Sequence, residues 1–284
     1  MEIKKVCVVG GGTMGRQIAL NSAIYGYETI CKCFDEGEVE RVEAWKEEYL
    51  AGRISKGRMT EEKVAEVKAR FSLTASYEEA FADPDLIIEA VLERVDTKKA
   101  VFDLIEELAP KNAIVATNSS FMISSTFKDC FKDPSRFANL HYYSPALVMD
   151  FVEVMRGEHT SDETVQTLID FAKSCNKEVC YMFKEHEGNI GSYMATMITN
   201  VAWELLEGGY CTAQDIDKSC ELGLRHPLGP FRLMDFTGID LTFDLVKKEA
   251  EETGVYKERY YILEKMVKEG RLGRKAGKGF YDYE

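Results

Sequence analysis

The chain has 284 residues, of which 45% are hydrophobic, enough to build one large or two moderate globular cores. With 36 basic against 49 acidic side chains the formal net charge is −13, which argues against a nucleic-acid binder and against attachment to an anionic membrane surface. No apolar run approaches a membrane span, and the Met1-Glu2-Ile3-Lys4-Lys5 start leads straight into a strand-like run, so a cytoplasmic protein without a signal peptide is expected.

That first run, 3–9, ends in Gly10-Gly11-Gly12-Thr13-Met14-Gly15, and Asp35 follows twenty residues after Gly15. Gly10 suits a tight strand-to-helix turn, Gly12 a backbone that approaches a pyrophosphate, and Gly15 a helix packed closely on its strand. Thr13 and Met14 open that helix, 12–26, whose free N–H groups and positive dipole end would face the phosphates. Asp35 closes the next strand-like run, 28–34, where a carboxylate accepts ribose hydroxyls and repels a 2′-phosphate. The pattern predicts NAD rather than NADP, with flavin adenine dinucleotide as the competing ligand.

Further strand-like runs lie at 85–91, 113–118, 137–140, 150–155 and 177–182. Helical patterns fall between most of them: one with Val39, Val42, Trp45 and Tyr49 on a stripe, one starting at Thr60 as N-cap, and one over 94–109 that stops at Pro110. Such alternation predicts a mainly parallel sheet with helices on both faces. After residue 184 the strand signals stop. Ile190, Met194, Ile198, Val201 and Leu205 form a helical stripe, and shorter helices are expected near 213–223, 239–251 and 256–269. The division expected is 1–184 for a nucleotide-binding domain and 185–284 for an all-α domain.

The eight cysteines include no Cys-x-x-Cys and no zinc-type His-Cys spacing, so free thiols and no metal are expected; Cys7, Cys31, Cys33 and Cys180 fall in strand-like runs. Of four histidines, His159 and His186 sit in polar segments that read as solvated, and His226 precedes Pro227 in a turn. His141 ends the 137–140 run, at the edge where open α/β sheets bind ligands, and is the candidate base for an alcohol oxidation. Glu153 stands within the apolar Phe151-Val152-Glu153-Val154-Met155. It must pair there or face water on an edge strand, and pairing with His141 would orient the imidazole. Ser119 and Ser120 follow the 113–118 run, where hydroxyls either contact a reacting oxygen or cap the next turn. Arg53, Lys56 and Arg58 read as an anion handle or as a solvated basic helix end.

Taken together these residues resemble the 3-hydroxyacyl-CoA dehydrogenases, most closely the short 3-hydroxybutyryl-CoA dehydrogenases. The likeness runs from the glycine loop through Ser55-Lys56-Gly57-Arg58-Met59-Thr60-Glu61, Glu89-Ala90-Val91-Leu92-Glu93, Asn118-Ser119-Ser120, and His141 with Pro145 to Glu153-Val154. It continues through His226-Pro227-Leu228-Gly229-Pro230 to Leu272-Gly273-Arg274-Lys275-Ala276-Gly277-Lys278-Gly279-Phe280-Tyr281. The resemblance implies a Rossmann-type doubly wound, mainly parallel sheet followed by an all-α C-terminal domain that makes a homodimer, with acyl-CoA held between the two. Carried onto matching positions, His141 and Glu153 are the catalytic pair, Ser119 contacts cofactor and substrate, Glu93 and Lys98 line the NAD site, and Lys56 and Arg58 meet CoA phosphates.

Two departures stand out. Ser144 occupies the position of an Asn that borders the nicotinamide in the family. Glu187-Gly188-Asn189-Ile190-Gly191-Ser192-Tyr193 replaces Pro-Gly-Phe-(apolar)-x-Asn-Arg, which puts Ser192 where the family has its active-site Asn. Losing such a donor lowers turnover by a factor of roughly 10²–10³, and Asn189, three residues before Ser192, is the candidate to restore it. These departures keep two alternatives open beside the acyl-CoA reading: a non-CoA hydroxy acid or diketone as substrate, and a weakened NADH-binding regulatory dimer.

Overall fold

A computed structural model describes residues 2–283. The chain forms two compact units, Met1–Ile190 and Gly191–Glu284. The division falls at Ile190 rather than at Lys184 because the intervening residues bond to the first unit. Glu185 Oε1 accepts from Ser124 Oγ and from the Ser125 N–H, each at 2.7 Å.

The first unit is built on eight strands: β1 (Lys5–Val9), β2 (Glu28–Lys32), β3 (Phe71–Thr74), β4 (Leu86–Glu89), β5 (Ile114–Thr117), β6 (Phe137–Tyr142), β7 (Phe151–Met155) and β8 (Glu178–Met182). Their order is β3-β2-β1-β4-β5-β6-β7-β8, parallel throughout except where β7 runs antiparallel to β6. The helices are α1 (Thr13–Ile24), α2 (Glu36–Ser55), α3 (Glu61–Arg70), α4 (Tyr77–Ala80), α5 (Val95–Leu108) and α6 (Asp162–Ser174). Both faces of the sheet are covered, as a parallel sheet requires. Successive residues of β1 go to opposite sides: Val6 and Val8 join one core cluster, Cys7 and Val9 the other. The second of these holds a group of phenylalanines in which Phe102 lies 5.1 Å from Phe127 and 5.0 Å from Phe137.

Every strand-like run in the sequence is a strand. Four-residue β3, at the sheet edge, was outside the expectation, as were α4 and α6. Thr60 does cap α3, accepting from Lys63 N. All eight cysteines are free thiols, and among the described residues no cluster of His, Cys, Asp and Glu could hold a metal ion.

The second unit is helical: α7 (Ile190–Glu207), α8 (Ala213–Lys218), α9 (Pro230–Thr237), α10 (Ile239–Thr253) and α11 (Glu258–Lys268). Trp203, Phe231 and Phe280 form its aromatic centre, with ring centroids 4.8 to 5.8 Å apart. The stripe on α7 behaves differently from its periodicity: Ala202 and Trp203 are buried, whereas Ile190, Met194, Val201 and Leu205 are exposed. Among the described residues no helix is long and apolar enough to cross a membrane.

Candidate active site and cofactor cavity

A cavity of about 980 Å³ opens at the C-terminal edge of the sheet, and Gly10, Gly12, Thr13, Met14, Glu93, Lys98, Asn118 and Ser120 are in its wall. Its size suits a dinucleotide. The glycines fit the roles their spacing predicts. A Cβ on Gly15 would meet Gly10 O at 1.9 Å, so only glycine lets α1 pack this closely. Gly12 has nothing within 4 Å, so its backbone faces open space. Helix α1 has no side-chain cap and no acid in its first turn, which leaves its N–H groups for an anion. This cradle fits the pyrophosphate of a bound NAD.

Asp35 is the N-cap of α2, with Oδ1 accepting from Glu38 N at 2.7 Å, and it does not line the cavity. Glu38 does, and the sequence reading missed it. Its Oε2 accepts from Phe34 N at 2.6 Å, and its side chain packs so close to Gly11 that a Cβ there would meet Glu38 Cδ at 2.8 Å. Arg41, one turn further along α2, also lines the cavity and approaches Asp35 Oδ1 at 4.0 Å.

Lys98 and Glu89 form a fully buried ion pair beneath the cavity. Lys98 Nζ donates to both Glu89 oxygens at 2.8 and 2.9 Å, and Thr117 Oγ1 and Val91 N complete the carboxylate's shell. Lys98 Nζ also lies 3.1 Å from Glu93 Oε2. Burial pushes the Glu93 carboxyl up, but the Lys98 ammonium, the Ser119 hydroxyl and the Phe121 N–H together hold it below its ordinary value.

The two adjacent serines have different jobs. Ser119 Oγ donates to Glu93 and accepts from Met122 N at 2.8 Å, so it caps the following turn, while Ser120 Oγ stands 3.1 Å from His141 Nε2. The hydroxyl at the imidazole is therefore Ser120's, while Ser119, expected to contact cofactor and substrate, is turned toward Glu93 of the cavity wall. His141 itself lies within β6, directly across from Glu153 on β7, so both side chains share one face of the sheet. His141 Nδ1 is 3.0 Å from Glu153 Oε2. Glu153 is fully buried between β6 and β8, which removes the alternative of an edge strand facing water. The same Oε2 accepts from Tyr143 Oη at 3.0 Å, and Oε1 accepts from Ile190 N at 3.0 Å.

The remaining expected residues have the following places, each within its own unit. Ser144, joined to Pro145 by a cis peptide, is outside the cavity wall. Lys56 and Arg58 are exposed in the turn that closes α2. Ser192 is on α7 in the second unit. Asn189 does not share a helix face with it, because Asn189 precedes α7 and has a left-handed backbone, φ 46°. Its amide is also already engaged: Nδ2 donates to the carbonyls of Ser119 and Ser120 at 3.3 and 2.9 Å. His159, expected in solvent, has both ring nitrogens buried.

The model of the 3-hydroxyacyl-CoA dehydrogenase NAD binding domain matches residues 5–186, and that of the 3-hydroxyacyl-CoA dehydrogenase C-terminal domain matches residues 188–283. The chain belongs to the 3-hydroxyacyl-CoA dehydrogenase family. Its first unit is that family's NAD-binding domain, which decides against a flavin. A 3-hydroxybutyryl-CoA dehydrogenase from Clostridioides difficile is 33% identical over 280 residues, 98% of this chain and 99% of that one. The crystal structure of an (S)-3-hydroxybutyryl-CoA dehydrogenase from Ralstonia eutropha has a TM-score of 0.84 at 30% identity, and all of both chains is covered. A diketoreductase structure described as acting on dicarbonyl compounds has a TM-score of 0.90 at 26% identity, also with both chains fully covered.

Proposed function

We propose that the protein interconverts (S)-3-hydroxyacyl-CoA and 3-oxoacyl-CoA, with 3-hydroxybutyryl-CoA as the preferred alcohol. The observation that carries this reading is the chain Ser120–His141–Glu153, whose first member also lines the glycine-loop cavity. An ionised carboxylate only accepts, so Glu153 places the imidazole proton on Nδ1 and leaves Nε2 as a lone pair. Nε2 takes the proton of the 3-hydroxyl, and Glu153 stabilises the imidazolium that results. The Ser120 hydroxyl turns from Nε2 to the substrate oxygen as that proton arrives. NAD, when bound, accepts the hydride leaving C3. In reverse His141 returns the proton to the ketone oxygen.

Lys56 and Arg58 would meet the CoA phosphates, since a chain of net charge −13 needs a local basic patch to hold a polyanion. The exposed apolar face of α7 supports a homodimer in which a second copy covers Met194, Met197 and Val201. A second reading, a free hydroxy acid or diketone as substrate, is favoured by the diketoreductase likeness together with Ser144 and Ser192.

The test compares NADH oxidation with acetoacetyl-CoA, free acetoacetate and a non-CoA diketone, with His141→Ala as control. Acetoacetyl-CoA is expected to have the highest kcat/KM by at least about a hundredfold. Preference for the diketone would replace the first reading by the second, and a fully active His141→Ala variant would overturn the mechanism.

A further inference from the structure

Asn189 has no place in the chemistry above, yet it is 1% exposed and its bonds are specific. Carbonyl oxygens only accept, so the two bonds to Ser119 O and Ser120 O fix which end of the amide faces them: both Nδ2 hydrogens are used there. Oδ1 is left buried with no hydrogen-bond partner. A buried orphan acceptor is unfavourable, and so is a left-handed backbone at a residue other than glycine. Gly188, with φ 89°, shares that conformation, so two successive left-handed residues turn the chain into α7. The next N–H, that of Ile190, donates to Glu153 Oε1.

Neighbouring residues thus hold the two arms of one constellation. Asn189 grips the peptide that carries Ser120, Ile190 grips Glu153, and His141 stands between Ser120 and Glu153. We propose that Asn189 is a positioning residue for turnover: its amide fixes the Ser119–Ser120 peptide so that the Ser120 hydroxyl stays at His141 Nε2. This inference rests on the Ser120–His141–Glu153 reading and adds to it. It also replaces the expectation that Asn189 donates to the substrate, because its donor hydrogens are already committed.

The test uses Asn189→Gly, Asn189→Ala and Asn189→Asp in the full chain, with His141→Ala alongside. Glycine keeps the left-handed backbone without strain and loses only the amide. Aspartate keeps the volume but turns a carboxylate toward two carbonyl oxygens. All three are expected to lower kcat for acetoacetyl-CoA reduction by about 10- to 100-fold, since small misplacement of a catalytic group has effects of this size. KM and the Kd for NADH should stay within about threefold of the unmodified protein. The primary isotope effect with NADH deuterated at C4 should rise, because the chemical step becomes more rate-limiting. An Asn189→Gly variant with normal kcat, or one altered in KM alone, overturns the proposal. If that occurs while His141→Ala is inactive, only the positioning role has failed; if His141→Ala is active, the underlying site reading has failed with it.

Discussion

Ser120 and His141 meet at 3.1 Å, Oγ to Nε2, although Ser119 is the serine whose side chain is more deeply engaged with the protein. The difference predicts a division of labour. Ser120→Ala should lower kcat by roughly 10²–10³, the loss typical of one donor to a developing oxyanion, and leave NADH affinity intact. Ser119→Ala should act on the cofactor side through Glu93, raising the Kd for NADH more than it lowers kcat. Steady-state kinetics and NADH fluorescence titration on the two variants separate these outcomes.

Tyr143 donates to the same Glu153 oxygen that faces His141 Nδ1, and its ring meets the imidazole edge-on at 4.8 Å. Glu153 also accepts from the Ile190 N–H and faces Cys180 on β8, whose thiol is pushed up by burial and by Glu153 itself, and so is not a competing anion. Removing the phenol leaves Glu153 a stronger partner for the imidazolium. That imidazolium forms as the alcohol is oxidised, so Tyr143→Phe should raise kcat for oxidation by about 2- to 10-fold, the effect of one hydrogen bond, in steady-state kinetics. An unchanged kcat would mean that the Tyr143 bond has no influence on the pair.

Arg41 lines the cofactor cavity within 4.0 Å of Asp35, and Glu38 lines it too. Two carboxylates at the end of β2 disfavour a 2′-phosphate, and Arg41 is held by one of them. Asp35→Ser should remove that repulsion and free the guanidinium for a phosphate. The ratio of kcat/KM for NADPH to that for NADH is expected to rise by about 10- to 100-fold. The matching Glu38→Gln change should act in the same direction.

The sheet was legible because its strands are apolar runs bounded by turn signals, and the cradle because glycine spacing reflects backbone stereochemistry. Four-residue β3 carried too little periodicity to register. Helix α6 did carry a signal, Ser161 followed by Asp162 and Glu163, and Ser161 does cap it. On α7 the spacing of Ile190, Met194 and Val201 showed that one face is apolar, but periodicity does not say what covers a face. At the site, residue chemistry offered His141 as the partner of Glu153 but left an edge strand facing water open, and only the register of β6 on β7 decides between them. Choosing between Ser119 and Ser120 required the turn that follows β5, because neighbouring residues point in different directions. Glu38 was hidden for a similar reason: its carboxylate reaches the cavity by folding back over Gly11.

The Lys98–Glu89 pair is 1% and 0% exposed. Breaking a buried pair leaves an uncompensated charge and typically lowers stability by about 3–5 kcal/mol. Lys98→Met should show a loss of that order in chemical denaturation, with a lower Tm. Lys98→Met combined with Glu89→Gln should recover part of it, because no naked carboxylate remains. Equal stability of the single and double variants would show that the pair is not coupled.

His159 offers a pH test of the fold apart from catalysis. Burial lowers its pKa below the ordinary 6.5, against the opposing pull of Glu185, with Lys128 adding to the lowering. The folded state therefore binds fewer protons than the unfolded chain in the window just below 6.5. Stability from the neutral ring is fully present above pH 6.5 and declines as pH falls through the depressed folded value. Tm measured from pH 7.5 to 5.0 should fall more steeply for the unmodified protein than for His159→Gln, since glutamine has nothing to titrate. Parallel Tm curves for the two proteins would mean that His159 is protonated in the fold without penalty.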